Sequence, residues 1–261
     1  MSGTFTPAPA GASTARMVLA QSRMEARLML RNGEQLLLAI VIPVIVLVGG
    51  VVGADRIGID LDGLPAVDVL TPGVLALAVM STAFTSVAIA TGFERRYGVI
   101  KLLGSSPLPR SGLLMGKILA LLNVVALQLV VLVVVGLALG WEPSLVHPPR
   151  SLAGLVLAVA LGTAAFASLG LFVAGVLRAE ATLALANLVY LLLMAGGGVV
   201  LPTSTYGGAA GSAIEWLPSG ALGEAMRSAL VDAAIDGRSL LVLLAWALVG
   251  TILTARTFKW E

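Results

Sequence analysis

Hydrophobic residues along this chain form six long runs that contain no charged residue, and charged or proline-containing segments separate the runs. The runs cover residues 35–54, 69–93, 118–141, 151–177, 181–201 and 239–255. We end the fifth run at 201 because Pro202 and the Gly207–Gly208 pair would interrupt a helix. A helix needs about 17–25 apolar residues to cross a bilayer, and all six runs qualify, the last only just. The pattern therefore predicts an all-α protein in which residues 34–261 form one domain with six transmembrane helices.

The residues before the first run divide into two segments. Residues 1–15 are rich in Ser, Thr, Ala, Pro and Gly, which predicts a disordered tail. Residues 16–33 show helical periodicity, with basic and apolar residues on different faces. The basic face holds Arg23, Arg27 and Arg31, and the apolar face holds Met17, Met24 and Leu28. This predicts an amphipathic helix in the plane of the membrane surface, its basic side toward anionic headgroups; the alternative is a helical extension of the first span.

Lys and Arg residues concentrate on one side of the predicted membrane. With six spans, both termini share a side with the loop 94–117 and the turn 178–180. That side holds twelve of the 16 Lys and Arg residues, whereas nine of the 14 Asp and Glu residues lie on the other side. The positive-inside rule assigns the basic side to the cytoplasm. We therefore expect both termini to be cytoplasmic.

The segment between the fifth and sixth runs contains a further short helix. Pro218 stands where a helix could begin. Within Ala221–Val231, apolar residues recur at helical spacing, namely Leu222, Met226 and Leu230. A helix of this length rises only about 16 Å, which is too short to span. We expect an amphipathic or re-entrant helix that caps the outer mouth of the protein.

Composition excludes several classes of protein. The chain is 58% hydrophobic and 11% charged, with a mean hydropathy of +1.02, whereas soluble domains carry about 25% charged residues. It has no Cys, no P-loop, no G-x-S-x-G motif and no residues at metal-ligand spacing. The lone His147 precedes two prolines and has no second ligand in sight. We therefore expect no catalytic residue, metal or cofactor in this chain, and no nucleic-acid partner.

Uncharged polar residues are the only polar groups within the spans. The runs 69–93, 118–141 and 151–177 contain no ionisable residue, which argues against ion-coupled transport and suggests that another chain supplies the energy. One interpretation is that the polar residues form hydrogen bonds between helices. The other is a substrate path lined mainly by apolar side chains, suited to an amphipathic or lipid-like substrate. The candidate path residues are Thr82, Thr85, Ser86, Asn123, Asn187 and Tyr190.

The loop 94–117 is the densest cluster of charge, with five basic residues. Gly98 interrupts it, and a short helix with an apolar face follows, ended by Gly104 and Pro107. The apolar face consists of Val99, Ile100, Leu102 and Leu103. A solvated loop that only sets topology has no need of four aliphatic residues, and an exposed apolar patch usually marks a partner site.

This order of an acidic residue, a basic pair, a glycine, a short apolar helix, a proline and a basic residue resembles the cytoplasmic loop of type-2 ABC exporter permeases. The class includes the daunorubicin-resistance-type permeases and other drug and lipid exporters. Trp216-Leu217-Pro218 and the amphipathic helix after it are similar to that family's extracytoplasmic re-entrant element. The resemblance covers nearly the whole chain in order.

The resemblance implies a multi-pass permease subunit in a bacterial plasma membrane, not an enzyme. It would pair with a second permease, identical or paralogous, and with cytosolic ATP-binding-cassette subunits that carry ATP and magnesium. The first and fifth spans would line the dimer interface and the path of a hydrophobic or amphipathic substrate such as a drug, lipid or glycolipid. The residues implied in coupling to the ATPase are Glu94, Arg95, Arg96, Tyr97, Gly98, Ile100, Leu102 and Leu103.

Two alternatives stay open from the residues alone. A secondary transporter or channel would transport without ATP and without a co-purifying ATPase. A membrane-embedded enzyme or scaffold would keep its activity or its complexes after truncation of the loop 94–117.

Overall fold

The computed structural model describes residues 12–33, 37–57, 63–99, 102, 108–144 and 146–257. All regular structure in these residues is helical. In the N-terminal half, α1 covers Thr14–Arg31, α2 joins a π-helical turn (Leu37–Val41) to Ile42–Ile57, α3 covers Ala66–Arg96, and α4 covers Arg110–Ala138. In the C-terminal half, α5 covers Pro148–Val176, α6 Ala179–Gly196, α7 Gly208–Ile214, α8 Pro218–Leu230 and α9 Gly237–Thr257, with a 3₁₀ turn at Thr203–Tyr206.

Five helices of the described chain are long and apolar enough to cross a membrane, which confirms a multi-pass membrane protein. They are Ala66–Arg96, Met115–Ala138, Pro148–Val176, Ala179–Gly196 and Gly237–Thr257. The first predicted run corresponds to a shorter apolar helix, Ala39–Ala54. Residues 34–36, where that run begins, lie outside the described residues, so the sixth span stays a prediction.

α3 is the central helix of the bundle. In its most apolar stretch 89% of the residues are buried, against 22–39% in the other four long helices. α2, α4, α5, α6 and α8 all pack on α3 or on its π-helical segment, Ser81–Ser86. Close approach needs a glycine at Gly73, because a Cβ there would lie 2.3 Å from the Val200 carbonyl oxygen. α3 is therefore the helix that most of the bundle contacts.

α1 packs along the N-terminal half of α4. It begins at Thr14, two residues before the predicted start. Ser22 and Glu25 on its inner face are buried, whereas the three predicted basic residues, Arg23, Arg27 and Arg31, are exposed. Gly116 lets the two helices approach, because a Cβ there would lie 2.7 Å from Gln21 Cγ.

The fifth predicted run ends as a helix at Gly196, five residues before the predicted end. Gly198 has φ +69°, a conformation that favours glycine, and a Cβ there would lie 2.5 Å from Ile214 Cγ2. The chain then leads through the 3₁₀ turn and α7 into α8, which begins at Pro218, where the sequence places a helix start. α8 is almost entirely buried among α3, α5 and α9, rather than lying on the surface.

Candidate functional site

α3 ends in three consecutive charged residues, and the first of them, Glu94, is tied to α1 and α4. Both carboxylate oxygens of Glu94 accept hydrogen bonds from Lys117 Nζ on α4, at 2.6 and 2.8 Å. Lys117 also pairs with Glu25 on α1, at 3.2 Å. Gln21 Nε2 donates to the same Glu25 carboxylate at 2.9 Å. One ammonium between two largely buried carboxylates therefore holds three helices together.

The second charged residue, Arg95, lies at the C-terminal end of α5. Its Nη1 donates to the carbonyl of Ala174 and, at 3.5 Å, to that of Leu177. The last carbonyls of a helix lack partners within the helix and carry the negative end of its dipole. The Arg95 guanidinium satisfies two of these groups and ties α3 to α5.

The third charged residue, Arg96, pairs with Glu180 in the first turn of α6. Both side chains are exposed, so this pair contributes little to stability, about 0–1 kcal/mol. An acidic residue is also favourable at the start of α6, because the helix dipole is positive there. We call the following residues the charged anchor: Glu25, Glu94, Arg95, Arg96, Lys117 and Glu180. The anchor joins one end of α3 to α1, α4, α5 and α6.

The chain beyond the anchor turns outward. Tyr97 is 70% exposed and stacks on Phe93, with ring centroids 6.1 Å apart. Gly98 has φ +69°, which lets the chain leave the axis of α3. Leu102 is 71% exposed, and its N–H donates to the Gly98 carbonyl at 3.1 Å. The other two predicted coupling residues, Ile100 and Leu103, lie outside the described residues.

The structure divides the predicted coupling residues into two groups. Glu94 and Arg95 turn inward to other helices of the same chain, whereas Tyr97 and Leu102 are open to solvent. The loop sequence does not distinguish the two groups, because the partners of Glu94 and Arg95 stand 23 and 79 residues further along the chain.

Four of the predicted path residues, Thr82, Thr85, Ser86 and Tyr190, are buried inside the chain. Thr82 Oγ1 donates to Gln128 Oε1 at 2.7 Å, and Gln128 Nε2 donates to the Ala39 carbonyl at 2.8 Å. This chain of bonds connects α3, α4 and the π-helical turn of α2. Asn187 is half-buried on α6, and Asn123 lies apart from all of them on an exposed face of α4.

Removal of this polar connection has an expected result of its own. Thr82→Val and Gln128→Leu should each destabilise the protein by about 1 kcal/mol, because the first leaves the Gln128 amide oxygen without its donor and the second leaves the Thr82 hydroxyl without its acceptor. The double variant should lose less than the sum of the two. Reversible unfolding in detergent and SDS measures the three values. Thr82→Val combined with Asn123→Leu, which removes an exposed amide on the same helix as Gln128, should be additive; additivity in the Thr82 and Gln128 pair would contradict the bond.

A second charged cluster lies at the opposite end of α3 and escapes the sequence analysis. Arg227 on α8 is 6% exposed and donates to the Gly198 carbonyl at 2.9 Å and to those of Val199 and Val200 at 3.3 Å. Glu224 pairs with Arg227 at 3.1 Å. Arg227 therefore satisfies backbone carbonyls of the segment that follows the end of α6.

Glu224 also ties α8 to the 3₁₀ turn. Its Oε1 accepts hydrogen bonds from the Thr203 N–H at 2.8 Å and from the Thr203 hydroxyl at 2.9 Å. Burial by itself raises the pKa of Glu224, but the Arg227 charge and the hydrogen bonds outweigh it and hold the pKa below its ordinary value. Glu224 thus stays ionised at neutral pH. The available sequence signal was the i, i+3 spacing of an acid and a base in a glycine-rich helix.

A comparison with known protein families identifies the family of this chain. The family described as ABC-2 family transporter protein matches residues 62–256, three quarters of the chain. The chain belongs to this family. No curated protein matches it.

Membership in the ABC-2 family makes the chain an ABC transporter permease, a transport subunit associated with ATP-binding-cassette subunits. The matched range contains α3 to α9, and α1 and α2 precede it. The charged anchor therefore joins helices inside the ABC-2 match to one helix, α1, outside it.

Proposed function

We propose that this ABC-2 family member is the permease of an ATP-driven exporter of the drug and lipid class, related to the daunorubicin-resistance-type permeases. It pairs with a second permease, identical or paralogous. Two cytosolic ATPase subunits bind ATP and magnesium and drive the cycle. The observation that carries the proposal is the charged anchor, which ties the end of the most buried helix to four others beside an exposed segment.

In this proposal, the segment 97–103 is the coupling helix. Tyr97 and Leu102 are exposed and present aromatic and aliphatic surface to the ATPase. Ile100 and Leu103, which lie outside the described residues, are proposed to belong to the same contact. Glu94, Arg95 and Arg96 act as positioning residues, since they engage helices of their own chain. A movement of the ATPase would displace this segment, and the adjacent charged anchor would transmit the displacement to α3 and the helices packed on it.

The proposed topology has six spans and two cytoplasmic termini in a bacterial plasma membrane. The sixth span is the apolar helix Ala39–Ala54 extended by the residues before it. The excess of Lys and Arg on the anchor side supports a cytoplasmic position for that side. α8 then enters from the outside, and its burial among α3, α5 and α9 fits a re-entrant helix.

The proposed substrate is hydrophobic or amphipathic, a drug, lipid or glycolipid. The path lies between two permeases, along α2 and α6, whose outer faces are apolar and exposed. These faces contain Ile45, Val48, Leu188, Leu191 and Leu192. Asn187 borders the α6 face, and the buried Thr82, Thr85, Ser86 and Tyr190 lie behind it. Asn123 belongs to a different surface.

ATP-driven export by the purified complex tests this function. The permease and its ATPase are reconstituted together into vesicles, with the ATPase on the outer surface. Addition of ATP and magnesium should then move a fluorescent amphipathic dye into the vesicle lumen. A non-hydrolysable ATP analogue should support no movement. Transport that persists without ATP would contradict the proposal and favour the alternative, a secondary transporter or channel.

Leu102→Asp should uncouple ATP hydrolysis by the ATPase from transport without unfolding the permease. The side chain is 71% exposed, so the substitution should change stability by less than about 0.5 kcal/mol. It places a charge on the proposed contact surface, so ATP-driven dye transport should fall at least tenfold. Val146→Asp, at a residue 76% exposed on the opposite side, is the matched control and should transport normally. Normal transport by Leu102→Asp would rule out this surface as the coupling contact.

A further inference from the structure

A groove of about 530 Å³ lies between α1 and α4, outside the coupling segment and the proposed substrate path. Its charged and polar lining consists of Ser22, Arg23, Arg27 and Arg31 of α1 and Asn123 of α4, with Leu19 and Leu30 beside them. The groove has therefore three positive charges, an amide and an aliphatic lining.

The three arginines are not occupied elsewhere in the described part of the chain. None of them forms an ion pair with a described acidic side chain. The acid on the same helix, Glu25, is buried on the inner face and pairs with Lys117. Among the described residues, the positive charge of the groove is thus uncompensated and open to an anion.

Asn123 is unusual because it exposes an amide within an apolar run. Its Nδ2 donates to the Leu119 carbonyl of its own helix at 2.7 Å, so the amide oxygen still has room for a donor or a polar ligand. Asn123 stands six residues after Lys117, about 9 Å further along α4.

An exposed apolar stripe continues from Asn123 along α4. Leu127, Val130 and Val134 follow at helical spacing, and all three are exposed. The stripe from Asn123 to Val134 is about 17 Å long at 1.5 Å per residue. It provides a surface for an acyl chain directly beyond the basic groove.

We propose that this groove binds one anionic phospholipid of the cytoplasmic leaflet. Arg23 and Arg27 contact the phosphate, Asn123 contacts the glycerol and ester region, and an acyl chain follows the α4 stripe. The site rests on the cytoplasmic orientation in the proposed function, but its binding does not depend on the ATPase. A bound lipid holds α1 against α4 and so supports the Glu25 and Lys117 pair on the other face of α1.

Native mass spectrometry of the full chain in a neutral detergent tests the site with phosphatidylglycerol and phosphatidylcholine as probes. We expect phosphatidylglycerol to bind saturably and at least tenfold more tightly than phosphatidylcholine. Arg23→Gln and Arg27→Gln should each weaken phosphatidylglycerol about tenfold, since each removes a charge-assisted hydrogen bond. Asn123→Leu should weaken it several-fold although the charge is unchanged. Arg16→Gln, an exposed arginine of α1 outside the groove, should stay within about twofold.

Each contrary outcome overturns the proposal in a different way. An equal loss in Arg16→Gln, or no loss in Asn123→Leu, would show diffuse attraction to the basic helix instead of a site. Equal affinity for phosphatidylcholine would remove the role of the anionic charge. Displacement of phosphatidylglycerol by millimolar inorganic phosphate would identify a soluble phosphate site. Because these measurements need no ATP, a failed transport assay with intact lipid binding would reject the exporter proposal alone.

Discussion

Lys117→Met is expected to destabilise the protein by about 3 kcal/mol and to abolish ATP-driven transport. The substitution leaves Glu25 and Glu94 near each other without their shared counter-charge. Breaking a buried ion pair from one side costs about 3–5 kcal/mol, and we expect the low end because Lys117 is partly exposed. Reversible unfolding in detergent and SDS measures the stability, and dye uptake into vesicles measures transport.

Two further variants separate the charge effect from general damage. Arg256→Met removes an exposed basic residue near the end of α9 that pairs with no described acid, and it should behave like the unaltered chain. The triple variant Glu25→Gln, Glu94→Gln and Lys117→Met removes all three charges of this cluster and should recover most of the stability. Unchanged stability in Lys117→Met, or a triple variant no more stable than the single one, would mean that these charges do not hold the helices together.

Arg227→Met is the second large expected effect, also about 3 kcal/mol or more. It leaves Glu224 and the carbonyls of Gly198, Val199 and Val200 without their buried donor. We expect α8 and the end of α6 to separate first. Hydrogen exchange of the α8 amides, followed by mass spectrometry, should therefore rise before that of α3.

Arg238→Met is the matched control for that prediction. Arg238 pairs with Glu215 at 2.7 Å, but the Arg238 side chain is more than half exposed, so its loss should cost less than about 1 kcal/mol. Arg227→Lys keeps the charge but has fewer hydrogen-bond donors. Its loss of stability should lie between those of Arg227→Met and Arg238→Met. Equal effects of Arg227→Met and Arg238→Met would show that burial does not make the Arg227 cluster important.

The helices of this protein were largely predictable, since their signal is local. A bilayer requires about 20 apolar residues per span, and such runs are visible without any tertiary information. The short α8 was also predictable from Pro218 and the spacing of Leu222, Met226 and Leu230. The exact ends were less predictable, as at Gly196, where the break depends on contacts of Gly198 with Ile214.

The charged contacts were not predictable, because their partners are distant in sequence. The sequence places Glu94 in a loop, whereas in the structure α4 and α1 bring Lys117 and Glu25 close to it. The sequence places Arg227 among the charges of an outer loop, whereas in the structure α8 packs inside the bundle and buries it. The π-helical segment of α3, which contains Thr82 and its hydrogen bond to Gln128, likewise has no sequence signature.

Site-specific cross-linking at position 102 shows whether the segment 97–103 contacts the ATPase. The chain has no Cys, so Leu102→Cys creates a single labelling site. With a benzophenone label at that site and the partner ATPase bound, illumination should give a permease–ATPase adduct whose cross-linked peptides mass spectrometry identifies. The same label at Val146→Cys should give none. An ATPase that co-purifies but cross-links from 146 and not from 102 would contradict the account.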